Sequence, residues 1–273
     1  MARVASTMIL LKKNNMEYQK LVKQHYKEEA EKNTISLTST MADVNTRRLE
    51  IEHLASYLKS GKKCLEIGCG NGASSIEISK KIKVDLLATD FSTDMIAMAK
   101  KQSIKGIKGK IKFQEQDVLT LNHKKEFDFI FTERCIINLL NWNDQKKALE
   151  NMALALKANG KLIILEAFND GLEELNKCRE ELGLDAVGPA YHNFYLDKEP
   201  VINHLKDQGL KFVEENNFLS SYFFGSRALY PAIAKANKKE IKYNSAFVNF
   251  FAMIPSMGNY SQLKILVFKK SAK

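Results

Sequence analysis

The residues best suited to chemistry lie within positions 63–72, which read Lys-Cys-Leu-Glu-Ile-Gly-Cys-Gly-Asn-Gly. A short apolar run ends on the acidic Glu66 and gives way to glycines at alternate positions, Gly68, Gly70 and Gly72, followed by a helix-compatible stretch from Ala73. Glycine suits such a turn because it adopts left-handed backbone angles without strain and lets a ligand approach the main chain closely. The pattern predicts a strand, a tight turn and a helix that together hold a nucleotide-like ligand. Any tight strand-to-helix connection can use glycine, so the turn alone does not identify that ligand.

Asp90 narrows the choice. It stands 24 residues beyond Glu66, at the predicted C-terminal end of the next strand, where an acidic side chain accepts hydrogen bonds from ribose hydroxyls. The plainer alternative is a cap for the helix that starts near Thr93. Two features argue against a nicotinamide dinucleotide. In Glu-x-Gly-x-Gly-x-Gly the third glycine follows the second by two positions, not by the three of GxGxxG. An acidic group at the strand end also fits a ligand with a positive amino group better than a pyrophosphate. S-adenosylmethionine is such a ligand.

These residues need an alternating scaffold, and the chain supplies one. Strands are predicted at 64–67, 85–88, 111–114, 127–131 and 161–165, with helices at 73–80, 93–101 and 143–157 between them. Ala158-Asn159-Gly160 reads as a helix stop. Alternating strands and helices indicate a parallel sheet covered on both faces. A helix at 170–182, an aromatic and polar loop at 183–195, a helix at 199–208 and strands at 211–219 and 262–268 follow. The fold class expected is α/β, a seven-stranded, mostly parallel Rossmann-like sheet. Residues 1–60 read as an N-terminal helical lid, with an amphipathic helix over 14–32 and a second, capped by residues 43–46, running to 58. Residues 61–221 and 261–273 read as the core. Residues 222–260, rich in Tyr and Phe, read as an inserted cap lobe, since structureless loops of that length are uncommon.

On the residues 65–72, Thr89-Asp90-Phe91-Ser92-Thr93-Asp94-Met95, Gln116-Asp117-Val118, Phe127-Asp128-Phe129-Ile130 and 156–161, the chain resembles the class I S-adenosylmethionine-dependent methyltransferases. The resemblance spans about 62–165. It implies that the backbone of 68–72, with Gly68, Gly70 and Asn71, approaches the methionine moiety beside Glu66, and that Asp90 binds ribose. Phe91 and Met95 would flank adenine, while Asp117 and Val118 would contact its edge. Residues 47–51 resemble the helix that precedes the glycine turn in some small-molecule methyltransferases, which makes Arg47 a candidate for the cofactor carboxylate and Tyr26 a second. Glu133 is a further cofactor candidate. A surface charge is the bland alternative for Arg47.

Methyl transfer from a sulfonium is an in-line displacement helped chiefly by positioning, and an oxygen nucleophile benefits from a general base. His192 is the best base candidate, because its ordinary pKa of about 6.5 lets it accept a proton near neutrality. It lies in Tyr191-His192-Asn193-Phe194-Tyr195, and Tyr195 joins it as a catalytic candidate. Arg134 is a charged donor for an anionic substrate group, or else a salt-bridge partner of Glu133 or Glu166. Residues 133–139, together with 192–195 and the long insertion, look like a methyltransferase subgroup associated with bacterial surface sugars and small metabolites. That resemblance implies a small hydroxylated acceptor such as a sugar or sugar acid.

Composition bounds the alternatives. The 273 residues carry a formal charge of +10, which could suit nucleic acid, but the excess lysine is scattered along helices and turns. Residues 132–135 also lack the Asn/Asp-Pro-Pro-aromatic signature expected for amino methylation of bases. A nucleic-acid methyltransferase and a non-catalytic S-adenosylmethionine-binding regulator remain the competing readings. Cys64, Cys69, Cys135 and Cys178 show no CxxC pairing, so free thiols and no metal are expected. No apolar run approaches the roughly 18 residues needed to span a bilayer. A cytoplasmic protein with a small-molecule acceptor, no obligatory nucleic acid and no membrane span is the expectation.

Overall fold

The computed structural model describes residues 43–242 and 244–272. The helix expected over 14–32, and with it Tyr26, lies outside them. Helix α1, Val44–Tyr57, starts where the sequence places it, because the Asp43 carboxylate accepts the Thr46 N–H at 3.0 Å and satisfies one of the helix's unpaired amides. Ile51, Leu54 and Ala55 form its buried stripe. Arg47 and Glu50 are buried on the same stripe.

The sheet is built from β1 Lys62–Ile67, β2 Val84–Asp90, β3 Lys110–Glu115, β4 Phe127–Glu133, β5 Leu156–Ala167, β6 Leu210–Asn216 and β7 Leu263–Lys270, in the order β3-β2-β1-β4-β5-β7-β6. Strands β1 to β5 pair in parallel, and β7 runs antiparallel between β5 and β6. Helices α2 Ala73–Lys81, α3 Thr93–Lys101, α4 Trp142–Ala155, α5 Asn169–Glu181 and α6 Lys198–Asp207 connect them. The central strands β1 and β4 are apolar and buried, with Leu65, Phe127, Ile130 and Phe131 almost wholly enclosed, as expected for strands covered on both faces. The connections reverse direction between β1 and β4, which in open α/β sheets opens a crevice beyond the carboxyl ends of the strands.

Two boundaries differ from expectation. Strand β5 begins at Leu156, directly after α4, so Ala158-Asn159-Gly160 lies within the strand. Phe127 pairs with Leu156 but Phe129 pairs with Lys161, and the extra residues bulge out with Asn159 at φ +62°, a conformation asparagine tolerates better than most. Strand β6 stops at Asn216, short of the expected 219. Phe218 and Leu219 are buried instead at the entry to a helical run.

That run holds α7 Ser220–Phe223, a π-helical turn at Phe224–Leu229, α8 Tyr230–Ala236 and α9 Ala246–Phe251. Its Tyr222, Phe223 and Val248 belong to one apolar cluster with Ile51 and Leu54 of α1 and with Ile163 and Ile265 of the sheet. Tyr222 Oη donates to Asp43 at 2.8 Å, Arg227 pairs with the same carboxylate, and Arg48 donates to the Ala252 carbonyl at 3.1 Å. The insertion and α1 therefore hold each other over the sheet.

Candidate active site

The glycine turn forms because β1 must reverse into α2 within a few residues. Gly68, Gly70 and Gly72 have φ of +80°, +53° and +78°, which glycine adopts without the penalty of a Cβ. Two of the three also face neighbours. A Cβ on Gly68 would meet Cys135 Sγ at 2.6 Å, and one on Gly72 would meet the Phe113 ring at 2.6 Å. At Gly70 a Cβ would enter open space. Its N–H donates to Asp90 Oδ2 at 2.9 Å, and Asp90 Oδ1 accepts the Ser92 N–H at 2.9 Å. Asp90 thus braces the turn from β2, while the cap of α3 is Ser92, whose hydroxyl accepts the Met95 N–H.

Five further sequence candidates stand on this side. Asn71 is buried and its side chain accepts the Ala73 N–H at 3.2 Å. Phe91 is half-buried and Met95 buried. Asp117 is exposed and accepts the Leu119 N–H at 2.8 Å, capping the short turn Val118–Thr120, with Val118 buried behind it.

Glu66 is buried, and its Oε2 has no hydrogen-bond partner among the described residues. Burial pushes its carboxyl up to about 8, with Glu133 and Asp90 adding repulsion. Burial likewise raises Asp90, against the opposing pull of the Ser92 and Gly70 amides. An unsatisfied buried carboxyl oxygen beside an open glycine turn suits a ligand that brings its own hydrogen-bond donors and positive charge.

Arg47 and Glu133 are brought to the same place. The Arg47 guanidinium donates to the Glu133 carboxylate and to Ser74 Oγ, the latter at 3.1 Å. Glu50, one helical turn further on, completes a ring. Its Oε2 lies 3.5 Å from Arg47 Nη1 and its Oε1 3.1 Å from Arg134 Nε, while Arg134 Nη2 lies 3.7 Å from Glu133 Oε1. Burial opposes ionisation of both carboxyls, but with different outcomes. Arg47 and Arg134 outweigh it at Glu133, which is held below the usual carboxylate range. Glu50, fully enclosed, is pushed up to about 8. Two acids in one buried site titrate apart in this way because both cannot readily ionise together.

Arg134 is therefore an ion-pair partner of Glu50 and Glu133, and Glu166 has a different task. Glu166, at the end of β5, accepts the backbone N–H groups of Cys135 and Ile136 at 2.9 and 3.0 Å and that of Ile137 at 3.2 Å. Arg134 itself is left-handed, φ +54°, and is fixed from both sides. Its N–H donates to Leu165 O at 2.8 Å, and its carbonyl accepts Asn138 Nδ2 at 3.0 Å. Strained backbone persists only where surroundings over-determine it.

The segment 191–195 docks on this post-β4 turn. The Phe194 N–H donates to Ile137 O at 2.7 Å and Asn193 Nδ2 donates to Asn138 Oδ1 at 2.9 Å. Burial raises the Tyr195 phenol, partly offset by Gln262 and the nearby Arg134 charge. Tyr195 and half-buried His192 thus stand on the segment docked beyond Arg134, His192 edge-on to Tyr191 at 4.9 Å between ring centroids. Glu50, Ser74 and Gln262 were not anticipated as site residues. Glu50 was detectable: Arg47, Glu50, Ile51 and Leu54 follow i, i+3, i+4, i+7, so two charges occupy an otherwise apolar stripe.

Residues 64–160 match a family model described as a methyltransferase domain. Over 108 residues the chain is 29% identical to phosphoethanolamine N-methyltransferase 1 of Arabidopsis thaliana, a match covering 39% of this chain and 21% of that protein. It is 29% identical over 132 residues to the O-methyltransferase rstn1 of Aspergillus nomiae, covering 47% of this chain and 57% of the relative. The chain spans about a fifth of the length of the first curated relatives it matches. In fold it is similar to magnesium protoporphyrin IX methyltransferase of Synechocystis, solved with S-adenosylhomocysteine bound. The TM-score is 0.54 at 14% identity, over 91% of this chain and 94% of that one. Among the described residues no helix is long and apolar enough to cross a membrane, and no group of three or more His, Cys, Asp or Glu residues could hold a metal ion.

Proposed function

We propose that this chain, whose residues 64–160 are a class I S-adenosylmethionine-dependent methyltransferase domain, methylates a hydroxyl oxygen of a small polar molecule such as a sugar or sugar acid. The observation that carries this reading is the docking of 191–195 on the turn that follows β4, through Phe194 on Ile137 and Asn193 on Asn138, at the carboxyl ends of the strands. Neutral polar groups surround that place: Asn138, Asn193, Tyr195 and Gln262. Arg134, drawn to Glu50 and Glu133, stands at the same place.

The residues of the glycine turn fit the cofactor. Gly70 leaves room for a ligand against the main chain, Glu66 offers an unsatisfied carboxyl oxygen, and Arg47 supplies a cation. Glu66 and Arg47 would hold the amino and carboxylate groups of the methionine end, Asp90 the ribose, and Phe91, Met95, Asp117 and Val118 the adenine. Bound S-adenosylmethionine supplies an electrophilic methyl group on a positively charged sulfur. The chain's own task is to bring the acceptor oxygen into line with that methyl and to exclude water, which can account for most of the acceleration. His192 takes the hydroxyl proton as the oxygen forms its new bond, and Tyr195 orients the acceptor. Among the described residues, α1 and α7 to α9 would act as lid and cap over the acceptor side.

The test is transfer from an isotope-labelled methyl donor to separated cell fractions. Label in a small-molecule fraction supports this reading. Ribonuclease-sensitive label would instead identify a nucleic-acid methyltransferase, and cofactor binding without transfer to any fraction a regulator.

A further inference from the structure

The ring of Arg47, Glu133, Arg134 and Glu50 joins α1 to the end of β4, and its four members are not equivalent. Arg47 reaches forward to Ser74 in the first turn of α2. Arg134 opens the turn that follows β4, on which Asn193 and Phe194 dock. Glu133 contacts both arginines from the strand end. Glu50 stands behind them with no solvent exposure, one oxygen toward each guanidinium.

We propose that Glu50 is a positioning residue for the methyl donor, a buried carboxyl that fixes Arg47 for the amino-acid end of the cofactor while anchoring Arg134 on the acceptor side. This rests on the cofactor reading above and goes beyond it by assigning a role to a residue that would touch neither substrate. Three observations support it. A buried acidic group is costly in the core, and Glu50 interrupts the apolar stripe of α1 formed by Ile51, Leu54 and Ala55. Arg47 lies one helical turn before it, so that Glu50 and Glu133 grip the guanidinium from two elements, which a single partner could not do with the same precision. Arg134 is held in a left-handed backbone conformation, and its pairing with Glu50 helps to aim a side chain that the turn alone would leave to choose among rotamers.

A role in positioning differs from a role in folding in what it predicts for two ligands. S-adenosylhomocysteine carries the amino-acid end that Arg47 would hold. Methylthioadenosine has the same nucleoside and thioether sulfur but lacks that end. Calorimetry on the full chain should show E50L, which removes both carboxyl oxygens, binding S-adenosylhomocysteine about tenfold more weakly than the unaltered protein, with methylthioadenosine affinity unchanged. E50D keeps the carboxyl group but withdraws it by one methylene, and should give a smaller loss confined to the same ligand. Either variant alone decides, so a folding failure in one leaves the proposal testable.

Equal weakening of both ligands would overturn the proposal in favour of a general structural role, and so would unchanged affinity for both. If the unaltered chain binds neither ligand, the cofactor reading fails and the proposal with it. That result is distinct from an unaltered chain that binds both while E50L leaves the two affinities in their original ratio, which sinks only the assignment of Glu50.

Discussion

Gly68 and Cys135 are in contact across the β1–β4 seam: a Cβ placed on Gly68 would stand 2.6 Å from both Cβ and Sγ of Cys135. The donor-side turn and the acceptor-side turn are packed directly on each other. A substitution on one is therefore felt by the other.

Gly68→Ala and Gly70→Ala should separate stability from binding. Both glycines have positive φ, so alanine costs about 1–2 kcal/mol of backbone strain at either position. At Gly68 overpacking against Cys135 adds about 1–3 kcal/mol. Gly70→Ala places its methyl in open space, so thermal denaturation should show the smaller loss, while S-adenosylhomocysteine binding falls because the methyl occupies the ligand's approach. Equal melting temperatures for the two variants would contradict the packing described.

Arg47→Lys tests the carboxylate contact without removing the charge that Glu133 requires. Lysine lacks the planar fork that engages several acceptors at once. S-adenosylhomocysteine affinity should drop about tenfold by calorimetry, in keeping with the loss of a charge-assisted hydrogen bond. Unchanged affinity would remove Arg47 from the site.

His192→Ala should lower the turnover rate by about 10²–10⁴, the range associated with general-base catalysis, with cofactor affinity preserved. Turnover at the original rate would return His192 to a structural role and leave orientation alone to account for the chemistry.

The ligand-free protein should lose stability as the pH rises. Burial pushes Glu50 and Glu66 up to about 8 and Glu166 up to about 7, against about 4.3 in an unfolded chain. The folded state therefore holds protons that the unfolded state has already released. That stability is fully present below the unfolded pKa and is lost as pH passes through about 7 to 8. Melting temperature should fall between about pH 6 and about pH 9, and Glu66→Gln should flatten part of the fall. A melting temperature that rises across this range would show that these carboxyls are not held neutral.

The glycine turn, Asp90 and the order of strands and helices were legible because each is local. A βα turn announces itself through residue type and spacing, and α1 through the Asp43 cap. The Glu50 ring was not legible as a ring, since its members come from α1 and from the end of β4, and only the packing of α1 on the sheet brings those elements together. The same holds for Glu166, whose three amide partners lie about thirty residues before it. Lys264 is a further case. It lies within the strand expected at 262–268, and it is fully buried on Asp170, Glu215 and Asn259 at 2.6–2.8 Å. Nothing in the immediate sequence distinguishes it from the exposed lysines that give the chain its charge.

The central claim is that the methyl group leaves a sulfonium for a hydroxyl oxygen of a small molecule. Nuclear magnetic resonance of the product formed with an isotope-labelled methyl donor tests it most directly, because the carbon shift of a methoxy group is distinct from that of an N-methyl or S-methyl group. A methoxy signal on a small polar molecule, dependent on the full chain, is the result predicted. A labelled N-methyl group, or label confined to nucleic acid, would contradict it.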